Sequence, residues 1–339
     1  MKTRREFLNE LTLAGTAGLL GVRGEPVAAE PLPETATVRL FHEIGSLCEA
    51  PQYMAEELLQ REGFTDVRYV QVPLGTSVSK VLASGVVDIG MVFGPTAILQ
   101  ISAGKPIVLL SGLHVGCLEV FGNERVRTIR DLKGKIVSVS RLQSAPHLFL
   151  AIMAAYVGLD PIKDITWVTN PSAANPTAEW ARLLTEGKFD AILAAPPASL
   201  VLRERRIGHV VVNMTTDRPW SQYFCCMVGG NRDFVRRHPV ATKRVLRALL
   251  KAADVCTLEP ERIARALVEQ GHTNNYAHAL QTLKEIPYNR WREYDPEATV
   301  RFFALRLHEI GMITSSPQKI IAQGTDWRFL NELKKELKG

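Results

Sequence analysis

Cysteine is scarce in this chain. Of 339 residues only Cys48, Cys117, Cys225, Cys226 and Cys256 are cysteine, and an odd count without Cys-x-x-Cys spacing argues against a disulfide framework or a zinc site. Buried free thiols are the expectation, Cys48 and Cys117 being the pair that could join later. Neither a metal site nor a cofactor is expected. Long apolar runs are lacking too: the stretch from Leu11 to Val22 falls short of the roughly 20 residues a membrane-spanning helix needs. The net charge is only +6 and its Lys and Arg are scattered, which leaves no basic stripe for nucleic acid. Also missing are the phosphate-binding Gly-x-x-x-x-Gly-Lys-Ser/Thr loop, His-Glu-x-x-His, the Gly-x-Ser-x-Gly elbow and the dinucleotide Gly-x-Gly-x-x-Gly. A catalytic kit is nowhere legible.

What is present is a repetition. Leu82-Ala83-Ser84-Gly85-Val86-Val87-Asp88 and Leu184-Thr185-Glu186-Gly187-Lys188-Phe189-Asp190 both read Leu-x-x-Gly-x-x-Asp, and a Pro stands ten residues after each Gly, at Pro95 and Pro197. In each copy Gly caps a helix in the left-handed conformation, an apolar strand follows, and the Pro suits the first turn of the next helix. Two copies of helix-strand-helix imply two similar α/β lobes with a ligand cleft between them.

The N-terminus reads as a processing segment. Thr3-Arg4-Arg5-Glu6-Phe7-Leu8 precedes the apolar run, and Val27-Ala28-Ala29 offers small residues for cleavage. The pattern is that of a twin-arginine export signal over residues 1–29, with a mature chain starting near Glu30 in the periplasm.

Strand and helix signals alternate from Thr37 onward, with one helix expected over Ala50 to Gln60, and read as a doubly wound, mostly parallel sheet. The chain crosses to a second lobe near 114–121 and returns near 210–228. Lobe one then comprises 37–117 and 220–339, and lobe two 118–219. From Asn231 the sequence turns helical, with helices opened by Asp295-Pro296 and Ser316-Pro317 and closed by Gly311 and Gly324.

In such sheets ligands sit beyond the carboxyl ends of the strands, at helix N-termini. That rule selects Ser46 to Tyr53 with Cys48, Gln52 and Tyr53; Thr76 and Ser77; Pro95 and Thr96; Ser140 to His147 with Ser140, Arg141, Ser144 and His147; Asn170 to Asn175; and Pro196. For each Ser or Thr, capping is the competing role. Arg141 and His147 flank Ser144 and could hold an anion, or Arg141 is solvated and His147 packs. Trp220 and Tyr223, in an exposed-looking stretch, could stack on a ring, and His114 stands with Cys117 at the first crossing. Neither His114 nor Cys117 has a sequence neighbour that would make it a metal ligand.

Together, Ala50-Pro51-Gln52-Tyr53-Met54-Ala55, the two Gly-x-x-Asp units, Ala103-Gly104-Lys105-Pro106-Ile107, Asp131-Leu132-Lys133-Gly134-Lys135 and Val157-Gly158-Leu159-Asp160-Pro161 resemble the periplasmic solute-binding components of ABC importers. The branch is the one that handles nitrate, sulfonates, taurine and thiamine-precursor pyrimidines. The resemblance implies a type II periplasmic-binding-protein fold with a helical C-terminal tail. It implies a non-catalytic monomer that closes on a small organic molecule and delivers it to an inner-membrane permease and its ATPase. A sensor subunit docking on a membrane receptor would share the same clamp. Tyr223-Phe224-Cys225-Cys226-Met227 looks partly like the cysteine-rich segment of the fungal thiamine-pyrimidine synthases, single-turnover enzymes that use pyridoxal phosphate and iron. Plain packing of two small side chains is the alternative for Cys225-Cys226.

Overall fold

β-branched and apolar runs of four to nine residues become ten strands among the described residues. They are β1 (Thr37–Glu43), β2 (Asp66–Val72), β3 (Ile89–Phe93), β4 (Ile107–Val115) and β5 (Glu119–Gly122). The remainder are β6 (Lys135–Val139), β7 (Ile165–Thr169), β8 (Ala191–Ala194), β9 (His209–Asn213) and β10 (Phe224–Asn231). Between them lie α1 (Ala50–Tyr53), α2 (Glu56–Arg61), α3 (Val78–Ala83), α4 (Gly94–Ser102), α5 (Ala145–Tyr156), α6 (Pro176–Thr185) and α7 (Ala198–Glu204). The C-terminal part is helical: α8 (Arg232–Arg237), α9 (Pro239–Leu258), α10 (Pro260–Glu269), α11 (Tyr276–Glu285), α12 (Pro296–Glu309), α13 (Pro317–Gly324) and α14 (Arg328–Glu336). This computed structural model describes residues 30–43, 45–72, 76–169 and 176–337. The export-signal reading and the segment Asn170 to Asn175 lie outside the described residues. The chain divides into two units, Met1–Leu32 and Pro33–Gly339, and all ten strands belong to the second.

The strands sort into a pair β1-β2, a three-stranded sheet β3-β10-β4 and a five-stranded sheet β7-β6-β8-β5-β9. Most strands are parallel, as the alternation with helices predicts. The exceptions are β5 and β10, each antiparallel to both of its neighbours. They are the strands that follow the two crossings, β4 to β5 and β9 to β10. No helix intervenes at the first crossing and only the short 3-10 turn Trp220–Gln222 at the second, whereas parallel neighbours are joined by a long crossover connection, usually an α-helix.

Both Gly-x-x-Asp units take the predicted form, with Gly85 at φ 75° and Gly187 at φ 67°. The aspartates do the same work twice. Asp88 N–H donates to the Arg39 carbonyl at 2.8 Å, and its carboxylate accepts from the Arg39 N–H at 2.8 Å. In the second copy Asp190 N–H donates to the Ile136 carbonyl at 2.7 Å, and its carboxylate accepts from the Ile136 N–H at 2.9 Å. Each aspartate thus clips the start of one strand to the start of another. Pro95 lies in the first turn of α4, whereas Pro197 sits two positions earlier relative to its helix, at the N-cap of α7.

Two local expectations are corrected. The helix expected over Ala50 to Gln60 breaks at Met54 and Ala55 into α1 and α2: the Gln52 carbonyl takes the Tyr69 hydroxyl at 3.0 Å and a tighter, three-residue turn from Ala55 N–H, which interrupts the helical ladder. Gly311 does close α12 at φ 70°. Gly324 is instead the last residue of α13, where an added Cβ would lie 2.6 Å from Ile101 Cγ2, so it is small for packing.

Candidate functional site

The carboxyl ends of β1 and β4, the start of β10 and the short helix α1 converge on a buried polar centre. Phe41 on β1 crosses over Gly90 on β3, where a Cβ would come within 2.7 Å of the Phe41 ring. The Gln52 amide fills the resulting gap between these two strands: Nε2 donates to the Phe41 carbonyl at 2.6 Å and Oε1 accepts from Met91 N–H at 2.8 Å. Gln52 is fully buried and its amide is taken up in holding β1 to β3. One residue on, the Tyr53 hydroxyl oxygen lies 2.9 Å from the Glu43 carbonyl and 2.5 Å from Glu49 Oε2. Burial, reinforced by Glu43, pushes the Glu49 carboxyl well up from its ordinary range. The Tyr53 ring stacks on His272 at 4.6 Å, and His272 meets His42 ring to ring, with 3.0 Å between Nδ1 and Nε2.

Beneath this network lie the thiols. All five cysteines are free and buried. Cys117 Sγ lies 3.0 Å from Cys225 Sγ, so its nearest described partner differs from the Cys48 pairing weighed above. Cys225 Sγ is also 3.6 Å from Cys226 Sγ and 3.7 Å from His114 Nδ1. Cys48 joins them through the thiols of Cys117 and Cys226, and its carbonyl accepts from the Tyr288 hydroxyl at 3.1 Å. Burial pushes the Cys117 and Cys225 thiols up. Against the cost of burial, hydrogen bonds from the other thiols pull Cys226 below its ordinary range.

The lack of any metal-ligand signal at His114 and Cys117 is therefore a limit of local spacing. One ligand atom from each of His114, Cys117, Cys225 and Cys226 lies within 4.8 Å of all the others. The partners stand more than a hundred residues away and meet only because β10 lies beside β4. Glu43, His272 and Tyr288 carry no signal in the sequence; Glu49 lies inside the selected segment Ser46 to Tyr53, Cys117 stands out beside His114 at the first crossing, and Cys225 and Cys226 are marked only by the resemblance of their segment to a cysteine-rich one.

A second grouping stands at the carboxyl end of β6. Ser144 occupies the N-cap of α5 with extended backbone, yet makes no capping hydrogen bond, and its buried hydroxyl has no hydrogen-bond partner. Pro146 removes one N–H that such a hydroxyl would use. Ser77 at the start of α3 likewise does not cap, its hydroxyl lying 3.2 Å from that of Ser79. Away from these strand ends Asn231, Asn275, Asp295 and Ser316 do cap their helices. Ser140 and Arg141 lead into α5, Arg141 exposed and Ser140 half-buried. His147 is buried, accepts from Gln143 N–H at 3.2 Å and packs edge-on against Trp167. Burial pushes its pKa down to about 4, so the ring is neutral.

The remaining candidates are locally occupied. Thr96 donates to the Phe93 carbonyl at 2.9 Å, Pro95 and Pro196 are buried, and Thr76 is half-buried. Trp220 is 5% exposed, which corrects the exposed reading at that residue, while Gln222 is exposed and Ser221 and Tyr223 are half-buried. It packs against Tyr156 and Phe302, and Tyr223 stacks on Phe302 at 4.0 Å. This aromatic row continues through Phe303 and Phe149 to Phe93, joining the end of β3 to α5 and α12.

Solved structures similar in fold to this chain include the periplasmic nitrate-binding protein NrtA from Synechocystis PCC 6803, at 15% identity and a TM-score of 0.70, over 91% of this chain and 90% of that one. A putative periplasmic sulfonate-binding protein SsuA from Methylobacillus flagellatus KT is 18% identical, with a TM-score of 0.64, over 89% and 94%. A Candida albicans protein described as having the generic periplasmic binding protein structural fold is 15% identical, with a TM-score of 0.66, over 86% and 96%. No curated protein matches the chain. The periplasmic-binding-protein fold is thus shared with these structures. Residues 34–269 match the model of the NMT1-like family, and the chain belongs to that family.

Proposed function

We propose that this protein is a non-catalytic solute-binding component of an ABC importer. It takes up a small organic anion between a lobe formed by 37–117 and 220–339 and a lobe formed by 118–219, then hands it to an inner-membrane permease. The observation that carries the reading is Ser144. A serine at the N-cap of a twelve-residue helix whose buried hydroxyl makes no hydrogen bond leaves both that hydroxyl and the first N–H groups of α5 for an incoming acceptor. Arg141 on the same loop supplies positive charge. The nitrate- and sulfonate-binding proteins among the structural relatives bear on the solute class, a sulfonate or carboxylate. Delivery by a twin-arginine signal, with cleavage near Ala29, places the protein in the periplasm; Lys in place of both Arg4 and Arg5 should then leave uncleaved precursor in the cytoplasm.

A thermal-shift series over sulfonates, carboxylates and pyrimidines tests the reading, because a solute at 100 times its Kd stabilises by about 2.7 kcal/mol. With a binder in hand, Arg141→Ala should weaken affinity by about 1.5–3 kcal/mol, the scale of a hydrogen bond to a charged group. Ser144→Ala should weaken it by about 0.5–1.5 kcal/mol, the scale of an ordinary hydrogen bond, without lowering Tm. No shift with any solute, together with a Schiff-base absorbance on adding pyridoxal phosphate, would overturn the binding role in favour of an enzyme. Unchanged affinity in both variants would move the site away from α5.

A further inference from the structure

The two places where the chain crosses between the sheets do not merely run side by side. Gly116, at φ 80°, lets the first crossing lie against the second, since a Cβ there would fall 2.4 Å from Thr215 Oγ1. The next residue, Cys117, holds φ 70° without being glycine, a left-handed conformation that a side chain adopts at a cost. That conformation accompanies the 3.0 Å approach of its sulfur to Cys225. Opposite it, neighbouring residues of a regular strand point to opposite faces, yet Cys225 and Cys226 bring their sulfurs within 3.6 Å. The reason is a break in register between Phe224 and Cys226 and again between Cys226 and Met227, the irregularity by which a bulge re-aims a side chain. His114 completes the group. It is fully buried; Nδ1 faces Cys225 Sγ and the Val115 carbonyl, and Nε2 has no hydrogen-bond partner.

We infer that His114, Cys117, Cys225 and Cys226 form a binding site for a thiophilic d10 cation, Zn2+ or Cu+, that pins the first crossing to β10. Three sulfurs and one imidazole are the soft donors such ions select. In a tetrahedral zinc site with Zn–S of about 2.3 Å the sulfurs stand about 3.8 Å apart, so loading requires Cys117 and Cys225 to separate by less than about 1 Å and keeps Cys225 and Cys226 near their present 3.6 Å. The site does not depend on the solute proposed above, and neither Ser144 nor Arg141 belongs to it.

The test uses the untagged full-length protein, reduced and kept anaerobic. Zn2+ and Cu+ are titrated separately against chromophoric chelators, and Co2+ serves as a spectroscopic probe. The expected result is one equivalent bound per chain by at least one of the two ions, a thiolate-to-cobalt charge-transfer band, a raised Tm and slowed amide exchange over 114–117 and 224–228. Cys117→Ser and Cys225→Ser should each abolish stoichiometric uptake, while Cys256→Ser, a buried thiol outside the group, should retain it. Should the ligand variants fail to fold by circular dichroism, the wild-type cobalt spectrum and stoichiometry decide. No uptake by reduced wild-type protein, cobalt binding without the thiolate band, or full uptake in both folded ligand variants would overturn the site.

Discussion

At the scale of single residues, the side chains that matter most are those doing backbone work. Gln52 replaces a ladder hydrogen bond between β1 and β3 with its own amide. Gln52→Ala would leave the Phe41 carbonyl and Met91 N–H buried and unpaired, each costing about 1–3 kcal/mol. The expected loss is therefore about 2–6 kcal/mol in a urea titration, with m unchanged because the unfolded chain exposes the same surface. Titration gives a second prediction. Burial pushes His147 and His272 down to about 4, His272 with a further contribution from His42. The folded protein therefore resists protonation that the unfolded chain accepts near pH 6.5. Stability should be full above that pH and decline as pH falls from about 6.5 toward 4, by at most about 1.4 kcal/mol per pH unit for each ring. Thermal melts across that window check the sign, and His147→Asn should melt with a shallower dependence on pH.

Among the elements, the repeated unit is a structural clip that sequence announced without revealing its purpose. Leu-x-x-Gly-x-x-Asp was legible because Gly and Pro punctuate the chain by local geometry alone. The role of the Asp was not, since Arg39 and Ile136 lie 49 and 54 residues away. Asp88→Ala and Asp190→Ala should each cost about 1–3 kcal/mol by leaving a buried strand N–H unpaired. The two clips share no partner, so the double variant should lose the sum of the two to within about 0.5 kcal/mol, as chemical denaturation would show. The thiol centre was only half legible: Cys225 and Cys226 could be read either as a partial cysteine-rich segment or as packing, and their meeting with His114 and Cys117 appears only once β10 lies beside β4. The non-capping serines were hidden otherwise, because Ser before a helix carries the same letters whether or not its hydroxyl turns back to the N–H groups.

For the molecule as a whole, the alternating strand and helix pattern, both crossings and the helical C-terminal part were readable from periodicity. The reversed direction of β5 and β10 was not, because periodicity reports which faces are buried and says nothing of the direction in which a strand is entered. That reversal has a consequence for how the protein comes off the ribosome. β3 and β4 never pair with each other; β10 lies between them, and Ile89 pairs with Gly230. While residues 116–223 are being made, both strands carry unsatisfied inner edges for more than a hundred residues of synthesis. The five-stranded sheet, whose strands all lie between 119 and 213, can close on its own in that interval. Nascent chains of intermediate length are thus one finished sheet tethered to two adhesive edges, the form most exposed to mispairing and most in need of a holding chaperone. A fragment ending at Pro219 should form aggregates that bind a hydrophobic dye, and one extended to Leu258 should do so less; equal solubility of the two would show that some other segment shields the edges until β10 arrives.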